Sequence, residues 1–141
     1  MSDALDAAMT QLGIVLGAMT GLTRWYTDPP EALAEFPCGM AFANYGSLAV
    51  QSDGLGKGLH TVSVVIYQSR AILPEAIDAA KIWPYRVFAA LAGHLRLNST
   101  VDAVVWPMAY KFGPLQYGSE VHYGVTFDMT LKIMAAVTCA V

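Results

Sequence analysis

The sequence predicts an α+β fold of order α-β-β-α-β-β, an antiparallel four-stranded sheet with helices packed on one face and a long C-terminal hairpin. Three observations predict it. Residues 120–134, EVHYGVTFDMTLKIM, alternate apolar and polar side chains almost without a break, the period of a strand with one buried face. Leu5, Met9, Leu12, Leu16 and Met19 recur at spacings of three and four, the period of an amphipathic helix. The other apolar runs are short and joined by brief links, which favours antiparallel neighbours with helices on one side.

The elements follow in chain order. The first helix covers residues 3–20. Ser2 or Asp3 can cap its first amides, Asp6 suits the positive end of its dipole, and Gly21 offers a stop. Gly13 and Gly17 weaken it by about 1 kcal/mol each relative to alanine, and glycines so placed allow close packing against a sheet. TDPPEALAEFP, residues 27–37, is a turn-rich connection in which three prolines bar regular structure. The first strand covers 38–45. Residues 46–58, with glycines at 46, 54, 56 and 58, read as a mobile loop. The second strand, 59–69, alternates His60, Val62, Val64 and Ile66 against Thr61, Ser63 and Tyr67.

Residues 73–97 are helical in two parts. Pro74 and Glu75 mark the start, and Ile77, Ala80, Phe88, Leu91 and Leu95 form the expected buried stripe. Pro84 lacks an amide to donate and clashes with the preceding turn, so a kink or break is expected at Trp83. The third strand, 99–113, has Val104, Trp106, Met108, Tyr110 and Phe112 in one phase, and Pro107 inside it demands an edge or a bulge. A last turn over 113–119 leads into the fourth strand, the stretch that alternates over 120–134. At about 3.3 Å per residue that strand runs about 45 Å, far longer than usual. No internal repeat or composition shift divides the chain, so residues 1–141 read as a single domain.

Composition narrows the function. Hydrophobic residues make up 55% and charged ones 13%, too few charges for an ordinary surface, so part of it is expected to be covered by other subunits. The net charge of −3 and the scattered Lys and Arg argue against a nucleic-acid grip. Asp3 and Asp6 stand where a secretory signal would carry basic residues, and LGIVLGAMTGL falls short of the ~20 residues that span a bilayer. Synthesis in the cytosol and no membrane partner are expected. Cys38 and Cys139 make no disulfide framework and read as reduced, buried thiols.

No catalytic, metal or cofactor constellation is expected. In DGLGKG, Lys57 is followed by glycine and then a strand, whereas a P-loop needs Ser or Thr and a helix. His60, His94 and His122 stand in no metal-ligand spacing. Glu120 and Asp128 share a face but lie about 26 Å apart along the strand, too far to act on one bond. Cys38 has apolar flanks and no local base, and Ser47, Ser52 and Ser69 lack a nucleophile-elbow setting.

Assembly signals remain. Trp25, Tyr26 and Tyr117 near breaks and turns read either as closing the core ends or as interface anchors, and Trp83 and Trp106 as core. Lys57, Lys111 and Asp128 are expected to make polar contacts with a partner. Glu120, His122, Thr126, Asp128 and Lys132 lie on the polar side of the last strand, toward a neighbour or a lumen.

Nearly the whole chain resembles the tail terminator (tail completion) proteins of long-tailed bacteriophages. The likeness rests on the N-terminal helix, the proline-rich passage, the LPEAI…VFAAL helix and the final strand HYGVTFDMTLKI. The resemblance implies a structural virion protein at the tail–neck junction, assembled in the host cytoplasm. It implies a homohexameric ring that sits on the last ring of tail-tube protein, stops tube polymerisation and meets head-completion or neck connector proteins. DNA would pass through the lumen without specific binding, and no catalytic residue or cofactor is implied. On this reading residues 46–58 are a mobile segment that orders on assembly against the tube, and the turn 113–119 is a second contact. The alternatives are another phage neck connector or tail-tube protein, or a small α+β ligand-binding protein or enzyme with a pocket between helix and sheet.

Overall fold

The computed structural model describes residues 4–52, 55–69, 74–97 and 100–136. Helix α1 (Ala4–Gly17) leads to a two-residue strand β1 (Arg24–Trp25), then β2 (Cys38–Ser52) and β3 (Leu55–Ser69). Helices α2 (Pro74–Ala80) and α3 (Trp83–Ala92) follow, then β4 (Ala103–Tyr117) and β5 (Glu120–Ala136). The fold is α+β, with a five-stranded mixed sheet of order β1-β2-β3-β5-β4. β1 runs parallel to β2, while β2–β3, β3–β5 and β5–β4 are antiparallel. The expected four-stranded antiparallel sheet and α-β-β-α-β-β order are met only in part: β1 adds a fifth, parallel strand before β2, and two helices rather than one separate β3 from β4. Two residues carry no readable strand period, so β1 exists because Arg24 and Trp25 are laid against Cys38 and Gly39.

One face of the sheet carries the main core. Ala8, Leu12 and Leu16 of α1 and Ala76, Ala80, Trp83, Val87 and Leu91 of α2 and α3 pack on Val62, Val64, Ile66, Val125, Phe127, Met129 and Leu131. The break expected near Trp83 is there: α2 ends at Ala80, and Pro84 occupies the first turn of α3, where no amide is needed. The buried stripe is shifted, however. Ile77, Phe88 and Leu95 are exposed, and the core positions are Ala76, Trp83 and Val87 alongside Ala80 and Leu91. Trp83 fixes that phase. Its indole is fully buried and its Nε1 donates to Gln68 Oε1 at 2.6 Å, which orients the face of α3 it stands on.

The opposite face is not bare. The turn-rich segment folds across one end of it, and Leu33 with the half-buried Tyr26 and Phe36 covers Cys38, Met40, Val65 and Tyr67. Close approach of strands also sets a glycine: a Cβ on Gly124 would overlap the Ile66 carbonyl, so no larger residue fits where β5 passes β3.

The glycine-rich stretch 46–58 was expected to be a loop. Its described residues instead extend the ladder, with Gly46 paired to His60, Leu48 to Gly58, Val50 to Gly56 and Ser52 to Leu55. Here glycine marks close approach rather than a turn: a Cβ on Gly46 would stand 2.6 Å from the Leu59 carbonyl oxygen and 3.1 Å from His60 Nδ1. The last turn is likewise shorter than expected. β4 continues to Tyr117, which pairs with Glu120, and Gly118 (φ 61°) supplies the left-handed residue of a two-residue connection. Pro107 does lie on an edge strand and in a bulge, between the Val105–Thr130 and Ala109–Asp128 pairs, where a cis peptide joins Trp106 to Pro107.

Candidate interaction surfaces

The residues singled out from sequence separate into three groups. Trp25, Tyr26, Tyr117 and His122 are packed within the chain. Trp25 is half-buried and wedged between α1 and the sheet: a Cβ on Gly13 would lie 2.8 Å from its Nε1, one on Gly17 3.2 Å from its Cβ, and one on Gly39 2.9 Å from its Cε3. Gly13 and Gly17 therefore do what glycines in a packed helix allow, with Trp25 as their partner. Tyr26 donates its backbone amide to the Gly39 carbonyl at 2.9 Å and carries the Arg24 guanidinium 5.2 Å above its ring. Tyr117 meets Tyr67 edge-on at 5.8 Å, and its hydroxyl donates to the Pro30 carbonyl.

His122 corrects the expectation most. It was placed on a polar face toward a neighbour, yet it is 1% exposed, held against Phe36 at 5.4 Å and Tyr67 at 5.7 Å. The reason is the 26–37 segment, which covers that end of the polar face, something alternation along one strand cannot report. Neither ring nitrogen has a hydrogen-bond partner. Glu120 Oε2 stands 3.6 Å from Nε2, within ion-pair range, and Glu120 itself is exposed. Nearby, burial first and Glu35 second raise the Cys38 thiol to about 11, and burial, Tyr117 and Cys38 together raise the Tyr67 phenol to about 12. Burial disfavours the Cys38 thiolate, the form in which a cysteine attacks or ligates. Cys139 lies outside the described residues.

Lys57, Lys111, Asp128 and Lys132 form the second group, on the face away from the helices. Lys111 pairs with Thr126 and Ala109 with Asp128, so Lys111 and Asp128 are diagonal neighbours. Both line a shallow groove of about 280 Å³ with Phe112, Gly113 and Leu115. Lys132 stands four residues further along β5, half-buried, and Lys57 lies beyond it on β3, opposite Met134. These charges are strung along the sheet and converge on no point. Among the described residues no group of three or more His, Cys, Asp or Glu could hold a metal. No helix of the described residues is long and apolar enough to cross a membrane.

The third group is apolar. On α3 and the β4 edge, Tyr85, Phe88, Trp106, Pro107, Met108 and Tyr110 line an open groove of about 310 Å³ floored by Phe127. Phe88 and Trp106 meet edge-on at 5.5 Å, and the bulge around Pro107 takes Trp106, Pro107 and Met108 out of register with β5. Tyr85 is 79% exposed. At the other edge of the sheet, Tyr45, Leu48 and Val50 of β2 are 70%, 81% and 77% exposed. Leu48 and Val50 face Gly58 and Gly56 directly across the ladder, and Leu48 leans over Gly58, where the His60 imidazole of β3 also lies. The signal for this surface was in the sequence, as an aliphatic pair opposite two glycines, but it was hidden by reading the glycines as a loop.

No protein-family model matches the chain, and comparison with curated proteins gives no match.

Proposed function

We propose that this chain is a structural subunit of a ring that caps the tail tube of a long-tailed bacteriophage, stops its polymerisation and joins it to the head or neck proteins. The observation that carries the reading is the pair of unpartnered apolar surfaces on opposite edges of one sheet, β2 and β4. Surfaces on opposite edges suit head-to-tail contact between copies, the kind that closes into rings. The resemblance in the helix LPEAI…VFAAL and the final strand supplies the tail-terminator identity within that class. The subunit acts by occupying a surface rather than by chemistry, a reading supported by Lys57, Lys111, Asp128 and Lys132, which are strung along the sheet rather than gathered at one point.

Deletion of the gene from its parent phage tests the reading. Tails without a terminator should be overlong or headless, whereas a connector defect releases filled heads that accept no tail. Tails of normal length joined to heads would overturn the proposal. The native mass of the purified protein adds a physical readout: six subunits of 15.1 kDa make a species near about 90 kDa. A stable two-fold dimer would count against a ring.

A further inference from the structure

We infer that the β2–β3 hairpin of one copy, through Leu48 and Val50, seats in the aromatic groove between α3 and the bulged β4 edge of a second copy. The inference rests on the ring reading for its biological setting, but its observations are those of a single chain. Leu48 and Val50 stand exposed on a strand pair whose facing positions are glycine, Leu48 leaning over Gly58 beside the His60 ring, and together they form an aliphatic knob. The groove formed by Tyr85, Phe88, Trp106 and Tyr110 is concave, aromatic and of a size to accept two aliphatic side chains. Residues 45–52, YGSLAVQS, carry no charge, and neither does any residue lining the groove. Each surface thus meets one of its own polarity, with no ionised group to desolvate.

The occupant follows from the topology. The knob lies on β2 and the groove on β4, with β3 and β5 between them, so one chain cannot fill its own groove. A second copy supplies both missing halves, and the contact is heterologous: each copy gives a knob on one side and a groove on the other. The outer edge of β2 beyond Gly39 has no strand paired to it among the described residues, which leaves the knob approachable. Groove sites that bind aliphatic anchors are typically lined by aromatic side chains, as this one is.

Heterologous pairing has a consequence that a two-fold contact lacks. Leu48→Asp spoils the knob and leaves the groove; Phe88→Asp spoils the groove and leaves the knob. Both positions are exposed, so the variants are expected to fold, which circular dichroism checks. Native mass is then read for the wild type, each variant, and an equimolar mixture of the two. The wild type should assemble, and each variant alone should need at least about 30-fold more protein for half-assembly, the shift that follows loss of an interface anchor. Mixing should restore one joint and give a heterodimer that goes no further. Folded variants that assemble like the wild type, a mixture that stays monomeric, or a wild type monomeric at every concentration would each overturn the inference. A failed joint beside overlong tails on gene deletion would leave the ring reading standing on other contacts, so the two failures are distinguishable.

Discussion

Replacing Gly13 by alanine should change sign in its effect according to what stands at position 25. In the middle of α1 the substitution gains about 1 kcal/mol of helix propensity. Against that, the new Cβ lies 2.8 Å from Trp25 Nε1 and 3.4 Å from its Cδ1, inside the range of ordinary contact. The indole has little room to retreat, since the backbone at Gly17 and Gly39 lies against its other edges. Overpacking of this kind costs about 1–3 kcal/mol, so Gly13→Ala should destabilise the wild type by about 1 kcal/mol net. With Trp25→Ala the overlap disappears and the propensity remains, so the same substitution should stabilise that background by about 1 kcal/mol. The coupling, about 2 kcal/mol, stands clear of the ~0.5 kcal/mol scatter between independent sites. Urea unfolding of the four proteins, followed by far-ultraviolet circular dichroism so that loss of an indole does not alter the signal, measures it. Equal effects of Gly13→Ala in both backgrounds would refute the wedge and return Trp25 to the candidates for an interface.

Two further expectations concern the core on the other face. His122→Phe keeps the ring contacts with Phe36 and Tyr67 and removes two buried nitrogens that lack a hydrogen bond, so it should raise stability by about 1 kcal/mol in urea titration; a loss would mean that the 3.6 Å approach of Glu120 to Nε2 outweighs their burial. Burial lifts Cys38 from 9.0 to about 11 and Tyr67 from 10.0 to about 12, so the unfolded chain ionises first as pH rises. Stability should therefore fall from about pH 9 and keep falling toward 12, and Cys38→Ala with Tyr67→Phe should flatten the melting temperature against pH; an unchanged slope in that double variant would refute the assignment.

What the sequence disclosed depended on whether a residue's role is fixed by its near neighbours. The period of α1, the break before Pro84 and the bulge at Pro107 are local consequences of spacing or of a missing amide, and each is found where expected. The expected exposure of His122 fails because its cover comes from Phe36 and Tyr67, far away along the chain. In the stripe of α2 and α3, Ala80 and Leu91 are buried as expected, while Ala76 and Val87 replace Ile77 and Phe88, the phase set by Trp83 through its bond to Gln68. Asp128 lies on the polar side of the last strand as its period requires, and register rather than period is what brings it into one groove with Lys111. Residues 46–58 form strand rather than loop because glycine carries two meanings, turn and close approach, and only the partner strand decides between them.

The length of the strands now has a physical consequence. β2, β3 and β4 have 15 residues each and β5 has 17, so each runs about 50–55 Å at full extension. α1 has 14 residues and spans about 21 Å, and α2 and α3, at seven and ten residues, span about 10 and 15 Å. No arrangement of such helices covers the sheet from end to end. The 26–37 segment extends the cover on the opposite face at one end, over Cys38 and Tyr67, and stops there. At the far end of β2 and β3 the residues facing Leu48 and Val50 are glycines, and with only the His60 ring beside Leu48 both side chains stay mostly exposed. A monomer would gain stability from a shorter hairpin or from lysine at these positions, the usual protection of an exposed edge. A hairpin that is long, uncharged and aliphatic at its end makes physical sense when something else buries it, and the aromatic groove on the opposite edge of the same sheet is a surface of matching chemistry.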